Sequence, residues 1–408
     1  MNGVRLHVFK LWAKISQLAR SKDPNKLSTS LGVWVVDFDG QVAPYLDDDP
    51  IVGIIATRAV ETLIDSGIIH PGCRFRTPAD FWNDPMRVRE SVYNQDTWAA
   101  VVMNPNATAM LRAAVEQGNT SYDPKRTGQI IVNSARDQNV ASTIPQALSP
   151  GVAFTRYDLR PFGPPIATPA VSIGQTYLII LSFSFTFFLP IHMKYNAPKS
   201  YPPLHFCQLI IWRWVATVVS YFFLSCVYSL MSLAFLMPMS NPPTSHTEPA
   251  VNPNVYSYGT FVVYWMINWV AMTAFQLACE NMAMLLGTPW TALWLIFWVV
   301  SNVTTGFYSL PLSSVFYRWG YAWPMHSVVE ATRSSLFDLH PRIGLNFGIL
   351  FVWCAIDTTL FPFTCFYMHW RTIREKKMAA QREAEWQEKM RKDEPCLFTR
   401  VTTNRPSG

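Results

Sequence analysis

The chain has 408 residues, of which 50% are hydrophobic, 14% aromatic and only 15% charged. A soluble globular domain carries about 25% charged residues, so this composition excludes a disordered chain and argues against a purely cytosolic enzyme. The formal net charge of +6 is too modest to mark a nucleic-acid binder.

Residues 1–29 contain neither an apolar run long enough to anchor nor a secretory h-region with a cleavage site. Val8, Leu11, Trp12, Ile15 and Leu18 share one helical face, with Arg5, Lys10 and Lys14 elsewhere. That is the pattern of a basic helix lying on a membrane surface. An incomplete gene model lacking a first span and a mitochondrial presequence are the alternatives.

From residue 30 to residue 170 the pattern changes to short β-rich runs and amphipathic helices. Leu31 to Phe38 reads as a buried strand closed by Asp39-Gly40, and Val52 to Ile64 has apolar residues at helical spacing. Trp98 to Met103 reads as a strand, followed by a helix from about Pro105 to Glu116; Ile130 to Val132 reads as a third strand, running into a helix from Ser134. Alternating strand and helix predicts one α/β domain with its own core. Cys73 is the only one of seven cysteines in this region, so the domain is held by packing without an internal disulfide.

The string Val35-Val36-Asp37-Phe38-Asp39-Gly40 carries two acids one residue apart after a strand, the arrangement that supplies a nucleophile and a general acid in haloacid-dehalogenase phosphatases. Such chemistry also needs a cation and Mg²⁺-holding carboxylates. Here Gln41 follows, Lys125 is the only lysine between Lys26 and Ala170, and Asp47-Asp48-Asp49 comes too early in the chain. A strand-ending turn is the preferred reading. No GxxxxGK[ST] phosphate loop occurs, and the eight histidines show no metal-ligand spacing. No catalytic, cofactor or metal site is therefore expected, and the chain is not read as an enzyme.

Five later segments, 171–193, 207–237, 259–286, 290–316 and 347–369, are apolar over the roughly 18 residues or more that a helix needs to cross a bilayer. Long non-alternating runs satisfy their backbone in lipid only as helices, which excludes a β-barrel. The fold class expected is thus an α-helical polytopic membrane protein, with five C-terminal transmembrane helices and an N-terminal extracytoplasmic α/β domain. Counting Lys and Arg in the short connections and flanks places eleven on the inner side, eight of them between Arg371 and Lys392, against three (Arg318, Arg333, Arg342) outside. Residues 371–408 are then a cytoplasmic basic helical tail, and residues 1–170 lie outside. Two acceptor sequons in that region, at Asn106 and Asn119, suit an outer face; a third, at Asn302, falls inside an expected span.

Ionisable groups within the spans are few: Arg213, Glu280 and Asp357. Such groups are functional candidates because burying them unpaired is expensive. Arg213 and Glu280 are expected at like depth, able to pair; Asp357 is expected near mid-membrane together with Asn302. Snorkelling of Arg213 and interhelical hydrogen bonding by Asp357 and Asn302 are the structural alternatives. The segment 317–346 is too polar to span and too apolar for a free loop, and its aromatic residues interleaved with Arg318, Glu330, Arg333 and Asp338 predict helices at or dipping into the interface.

With these residues in view the chain resembles a fungal family of membrane proteins named for nitrosoguanidine resistance. The strings that carry the resemblance are Val35 to Gly40, Trp98 with Asn106-Ala107-Thr108, Tyr157 to Phe162 leading into Gly174 to Leu178, and Phe316 to Pro324 with Glu330, in that order over residues 30–370. The resemblance implies a short inner N-terminus, a first span upstream of Leu31 that is absent from this sequence, a large outer domain and five further spans. That layout is similar to the permease halves of type-2 ABC exporters, whose outer re-entrant hairpin carries a Pro-to-Glu spacing like Pro324 to Glu330. The expectation that follows is a plasma-membrane protein, without its own ATPase, that contributes to tolerance of toxic compounds by efflux or by altering lipid organisation. Its expected partners are the lipid bilayer, an amphipathic small molecule or lipid, and a second copy in a homodimer. The competing expectation is a non-transporting organiser whose outer domain binds a protein or cell-wall partner.

Overall fold

A computed structural model describes residues 31–46, 49–65, 72–117, 122–123, 125–136, 154–164, 166–187, 205–287, 290–307, 310–313, 315–340 and 342–402. The surface helix expected at 4–18 and the sequon at Asn119 lie outside the described residues.

The N-terminal head is built on β1 (Gly32–Asp37), β2 (Gly72–Arg76), β3 (Ala99–Met103), β4 (Gly128–Val132) and β5 (Phe154–Asp158), paired in the order β2-β1-β3-β4-β5. β1 runs parallel to β2 and β3; β4 is antiparallel to β3 and parallel to β5. Strand alternation sends Val33 and Val35 to one face, where Ala56 and Val60 of α1 (Val52–Asp65) cover them. Val36 goes to the other face, where Val88 and Val92 of α2 (Pro85–Tyr93) cover it together with Phe38 of the following turn. α3 (Ala107–Gln117) follows β3 and packs beside α1. The head is therefore an α/β/α sandwich with a core of its own. The helix expected from Ser134 is not formed over its described part: Ser134 to Arg136 make a turn, with Ala135 N–H bonded to the Arg160 carbonyl. α2 has no counterpart in the sequence reading, because Arg87, Arg89 and Glu90 mask its short apolar face.

The remainder is mostly helical: α4 (Gly174–Phe187), α5 (Phe206–Ala234), α6 (Thr260–Leu286), α7 (Trp290–Phe307), α8 (Pro324–Phe337) and α9 (Ile343–Thr402). Three of them, α5, α6 and the first part of α9, are long and apolar enough to cross a membrane. At 1.5 Å per residue α6 is about 40 Å long, more than the ~30 Å of hydrocarbon. The five expected spans are not all matched. α4 is described over 14 residues and counts as a shorter apolar helix. α7 stops at Phe307, after which the chain tightens into 3₁₀ turns at Leu310–Leu312 and Val315–Ala322, so the span expected over 290–316 is cut short.

α6 is the hub, packing against α4, α5, α7, α8 and α9. It is buried along most of its length, whereas α5 and α9 leave Ile211, Val215, Val219, Phe223, Phe351 and Phe363 exposed. Apolar side chains left bare along such helices are stable against lipid and not against water. In α8, Met325, Val328, Val329, Leu336 and Phe337 are buried among its neighbours. At the head end of the bundle Ala135, Phe162, Ala167 and Val171 pack with Met237, Tyr264, Leu336 and Phe337. At the other end Arg371 donates to the last carbonyls of α6, those of Leu285 and Leu286. Head and tail thus sit at opposite ends of the bundle. The tail continues α9 as an exposed, charged helix.

Candidate functional site

Buried polar side chains collect at the tail end of the bundle. Arg213 enters from α5 and Glu280 from α6, each about 5% exposed, and the guanidinium donates to Glu280 Oε1. Arg213 is further held by Met284 Sδ at 3.5 Å and by the Phe361 ring, 5.5 Å from its centroid. One residue along α6, Asn281 Nδ2 donates to the Asp357 carbonyl of α9 at 2.9 Å and to its Oδ1 at 3.4 Å, while Asn281 Oδ1 accepts from Thr364 at 3.0 Å. Glu280 Oε2 and Asp357 Oδ2 are both buried without a hydrogen-bond partner. A buried carboxylate oxygen left unbonded is costly, so each has an acceptor position open to a further donor.

The structure thus brings Arg213 and Glu280 together and separates Asp357 from Asn302. Asn302 lies in the head-side half of α7, donates back to the Trp298 carbonyl at 2.9 Å, and accepts from Met325 N–H at 3.3 Å. It caps the first turn of α8 from a neighbouring helix. Pro324 occupies the first position of α8, where its missing N–H costs nothing. Arg333 donates to the Arg136 carbonyl of the head at 3.0 Å and lies 4.0 Å from Glu330; Arg318 is exposed.

A second buried pair, not foreseen from the sequence, joins the head to the bundle. Arg160 is fully buried and its Nη2 lies 3.0 Å from Oδ2 of Asp338, the residue that ends α8 in a left-handed conformation. The remaining guanidinium N–H groups donate to the carbonyls of Leu159, Thr244, Ser245, Glu248 and Asp338. Tyr93 of α2 stacks on His246 at 4.1 Å and donates to Asp338 Oδ1 at 3.4 Å. Burial, with the Asp338 charge beside it, pushes the Tyr93 hydroxyl up to about 12, which keeps it a donor. Arg160 sits in the Tyr157 to Phe162 string, but no local pattern pairs it with a residue 178 positions away.

The two head acids behave differently. Asp39 is buried and its carboxylate accepts from Thr108 N–H at 2.8 Å, from the Thr108 hydroxyl, and from Gly53 N–H at 3.0 Å. It therefore fills the crevice at the carboxyl ends of β1 and β3, between two helix N-termini, where open α/β sheets bind anions. The Thr108 hydroxyl also accepts from Ile51 and Val52 N–H, so the Asn106-Ala107-Thr108 string has a folding role of its own. Asn106 is half-buried in the turn before α3. Asp37 accepts from Asp39 N–H at 3.0 Å. Desolvation, with a smaller push from the Asp39 charge against the pull of that N–H, raises its carboxyl to about 6. Among the described residues no group of three or more His, Cys, Asp or Glu is placed to hold a metal ion.

Residues 21–149 and 139–359 match the model of a family described as "Protein of unknown function (DUF3533)", and the chain belongs to that family. An uncharacterized endoplasmic reticulum membrane protein of Saccharomyces cerevisiae is 26% identical over 353 residues. That alignment covers 74% of this chain and 66% of the yeast protein, so the chain spans just under two thirds of its relative's length. No solved structure matches.

Proposed function

We propose, from membership of this family as the premise, that the chain crosses the bilayer five times, along α4, α5, α6, α7 and the first part of α9, and moves or excludes amphipathic small molecules or lipids without an ATPase of its own. The head faces the lumen or exterior and the basic tail the cytoplasm, in keeping with the excess of Lys and Arg at the tail end. The membrane is that of the endoplasmic reticulum, which the yeast relative's name gives for that protein, or the plasma membrane that receives its traffic. The resemblance to the nitrosoguanidine-resistance family supports a physiological role in tolerance of toxic compounds. Five helices make half of an exporter-like pathway, so the working unit is a homodimer. The capture of Asp39 by two helix N-termini supports a non-enzymatic head.

The observation that carries the transport reading is the pair of unpartnered carboxylate oxygens, on Glu280 and Asp357, buried between α5, α6 and α9. A purely structural pair would have both oxygens of each acid bonded. The competing organiser reading rests on the Arg160 junction, which fixes the head to the bundle.

The test uses cells lacking the gene, complemented with wild type, Glu280→Gln or Asp357→Asn, with growth under N-methyl-N′-nitro-N-nitrosoguanidine and membrane abundance measured together. Transport predicts that wild type restores tolerance and that both variants lose it at normal abundance. Variants that protect as wild type does, or that disappear from the membrane, defeat the transport reading and leave the organiser. Failure of wild type itself to restore tolerance removes the physiological role.

A further inference from the structure

The sheet face that carries Trp34 is covered by α2 and by a short 3₁₀ turn, Pro78–Phe81, and the cover stops short of the β2 edge. What remains is an open cleft of about 530 Å³, within the ~300–1,000 Å³ of small-ligand sites. Its aromatic walls are Trp34, Phe81 and Trp82; Trp34 and Phe81 meet at 5.5 Å, and the Arg76 guanidinium lies over Trp34 at 5.2 Å.

Trp82 is the unusual member. It is 86% exposed, and its backbone is left-handed at φ 58°, followed by Asn83 at φ 57°. A bulky side chain rarely takes that conformation, which is found where structure holds a residue for a task. An indole held out in water at the rim of a cleft forfeits the burial that gives Trp its value to folding.

The rim is polar and its charge is balanced. Arg76 and Arg87 face Asp80 and Glu90, with Arg87 and Glu90 paired at 2.9 Å. Asp80 accepts from Thr77 N–H at 3.2 Å, which leaves its other oxygen free for a ligand hydroxyl. Asn94 adds a planar amide. Two acids beside two arginines disfavour a phosphate or another anion, and the charged rim disfavours an acyl chain. A ligand with a flat apolar C–H face for the indoles and a ring of hydroxyls for the guanidinium, carboxylate and amide groups satisfies both surfaces.

We infer that the cleft between the Trp34 face of the sheet and α2, with Trp82 as its platform, binds a neutral oligosaccharide. The inference stands on the head alone and is independent of how the chain crosses the membrane.

The experiment is calorimetric titration of the full-length chain, held in a polyoxyethylene detergent that carries no sugar head group. The probes are mannohexaose, laminarihexaose and cellohexaose, with a heparin-derived hexasaccharide as the anionic comparison. At least one neutral hexaose is expected to bind saturably, and Trp82→Gly, which relaxes the left-handed backbone while removing the ring, weakens it about tenfold or more. Trp82→Phe keeps an aromatic face and stays within about threefold of wild type. Three results would each overturn the assignment: no neutral hexaose bound at about 10 mM, Trp82→Gly binding as wild type does, or tighter binding of the heparin fragment. Because Trp82 is exposed, its variants keep the wild-type melting temperature or better, so lost binding reads the site and not the fold.

Discussion

Replacing Arg160 by Met is the sharpest structural perturbation the fold offers. The side chain is fully buried, and it ties the head, the 238–258 connection and the end of α8 together at one point, beside Tyr93, which touches the same three. Removing it leaves the Asp338 carboxylate buried with only the Tyr93 hydroxyl, and strips donors from the carbonyls of Thr244, Ser245 and Glu248. Breaking one partner of a buried pair costs about 3–5 kcal/mol. For a unit of the head's size this is a fall of roughly 6–20 °C in Tm. Asp338→Asn should cost less, because the single amide oxygen still accepts from one of Tyr93 and Arg160 and the guanidinium keeps its carbonyl acceptors. The double variant Arg160→Met, Asp338→Leu should recover much of the loss, since no unpaired charge remains. The assay is thermal unfolding of the purified full-length chain, followed by size-exclusion recovery after heating, with hydrogen exchange locating the loss at 238–258 and at the end of α8. If Arg160→Met melts within about 2 °C of wild type, or if the two single changes simply add in the double variant, the junction is not held by this pair.

Two smaller perturbations have clear signs. Asp37 has a carboxyl raised to about 6 from an ordinary 3.8, so the native head binds more protons than the unfolded chain between those values, and the stability contributed by its neutral form is lost as pH rises through about 6. Asp37→Asn should therefore stabilise the head at pH 7.5 by about 1 kcal/mol, after allowance for its half-exposed position, and not at pH 3.5; hydrogen exchange of β1 amides at the two pH values checks this, and equal protection of both proteins at pH 7.5 would refute it. Asn302→Ala removes the cap on α8 at Met325 and should cost about 1 kcal/mol or somewhat more, read as faster exchange of the α8 first turn with the Asp357 region unchanged.

The head was legible where a short apolar run is closed by turn residues. Val33 to Val36 is continuously apolar and closed by Asp39-Gly40, the pattern of a strand buried on both faces, and Val33 and Val35 point one way and Val36 the other. Helix α2 escaped because three of its nine residues are charged and its apolar face is two valines and a tyrosine wide. In the bundle, hydropathy marks which segments prefer lipid but not where a helix tightens; Pro311 and the serines around it signal the 3₁₀ turns after Phe307, but their effect is averaged away in the hydropathy of 290–316. Arg213 and Glu280 could be paired because depth in a membrane is a single coordinate, countable from each helix end. Asp357 and Asn302 were placed together by the same count and lie apart. Depth does not specify which helix face a residue occupies, and α8, buried between α7 and α9, takes the Asn302 side chain for its own N-terminus. Arg160 and Asp338 were beyond any such count, since their partnership exists only once the head has docked.

The distribution of polar groups along the bundle constrains how anything could pass it. The Arg213–Glu280 and Asn281–Asp357 contacts lie toward the tail, and the Arg160–Asp338 pair lies toward the head. Between them Trp298 packs against Trp294, Phe275, Trp323 and Trp353 at 5.5–6.4 Å. Interlocked rings of this size move only as a group in a close-packed interior, so a polar solute does not run from one buried pair to the other within one protomer. An amphipathic molecule need not do so. The apolar stripe on α5, from Ile211 through Val215, Val219, Phe223 and Val227, is bare along the length of the helix and begins beside Arg213. A molecule with an apolar body can travel on that surface while its polar end is handled at the Arg213 and Glu280 level. The transport proposed above would therefore run along the bundle's outer face or a seam between two copies, and Glu280→Gln tests it there.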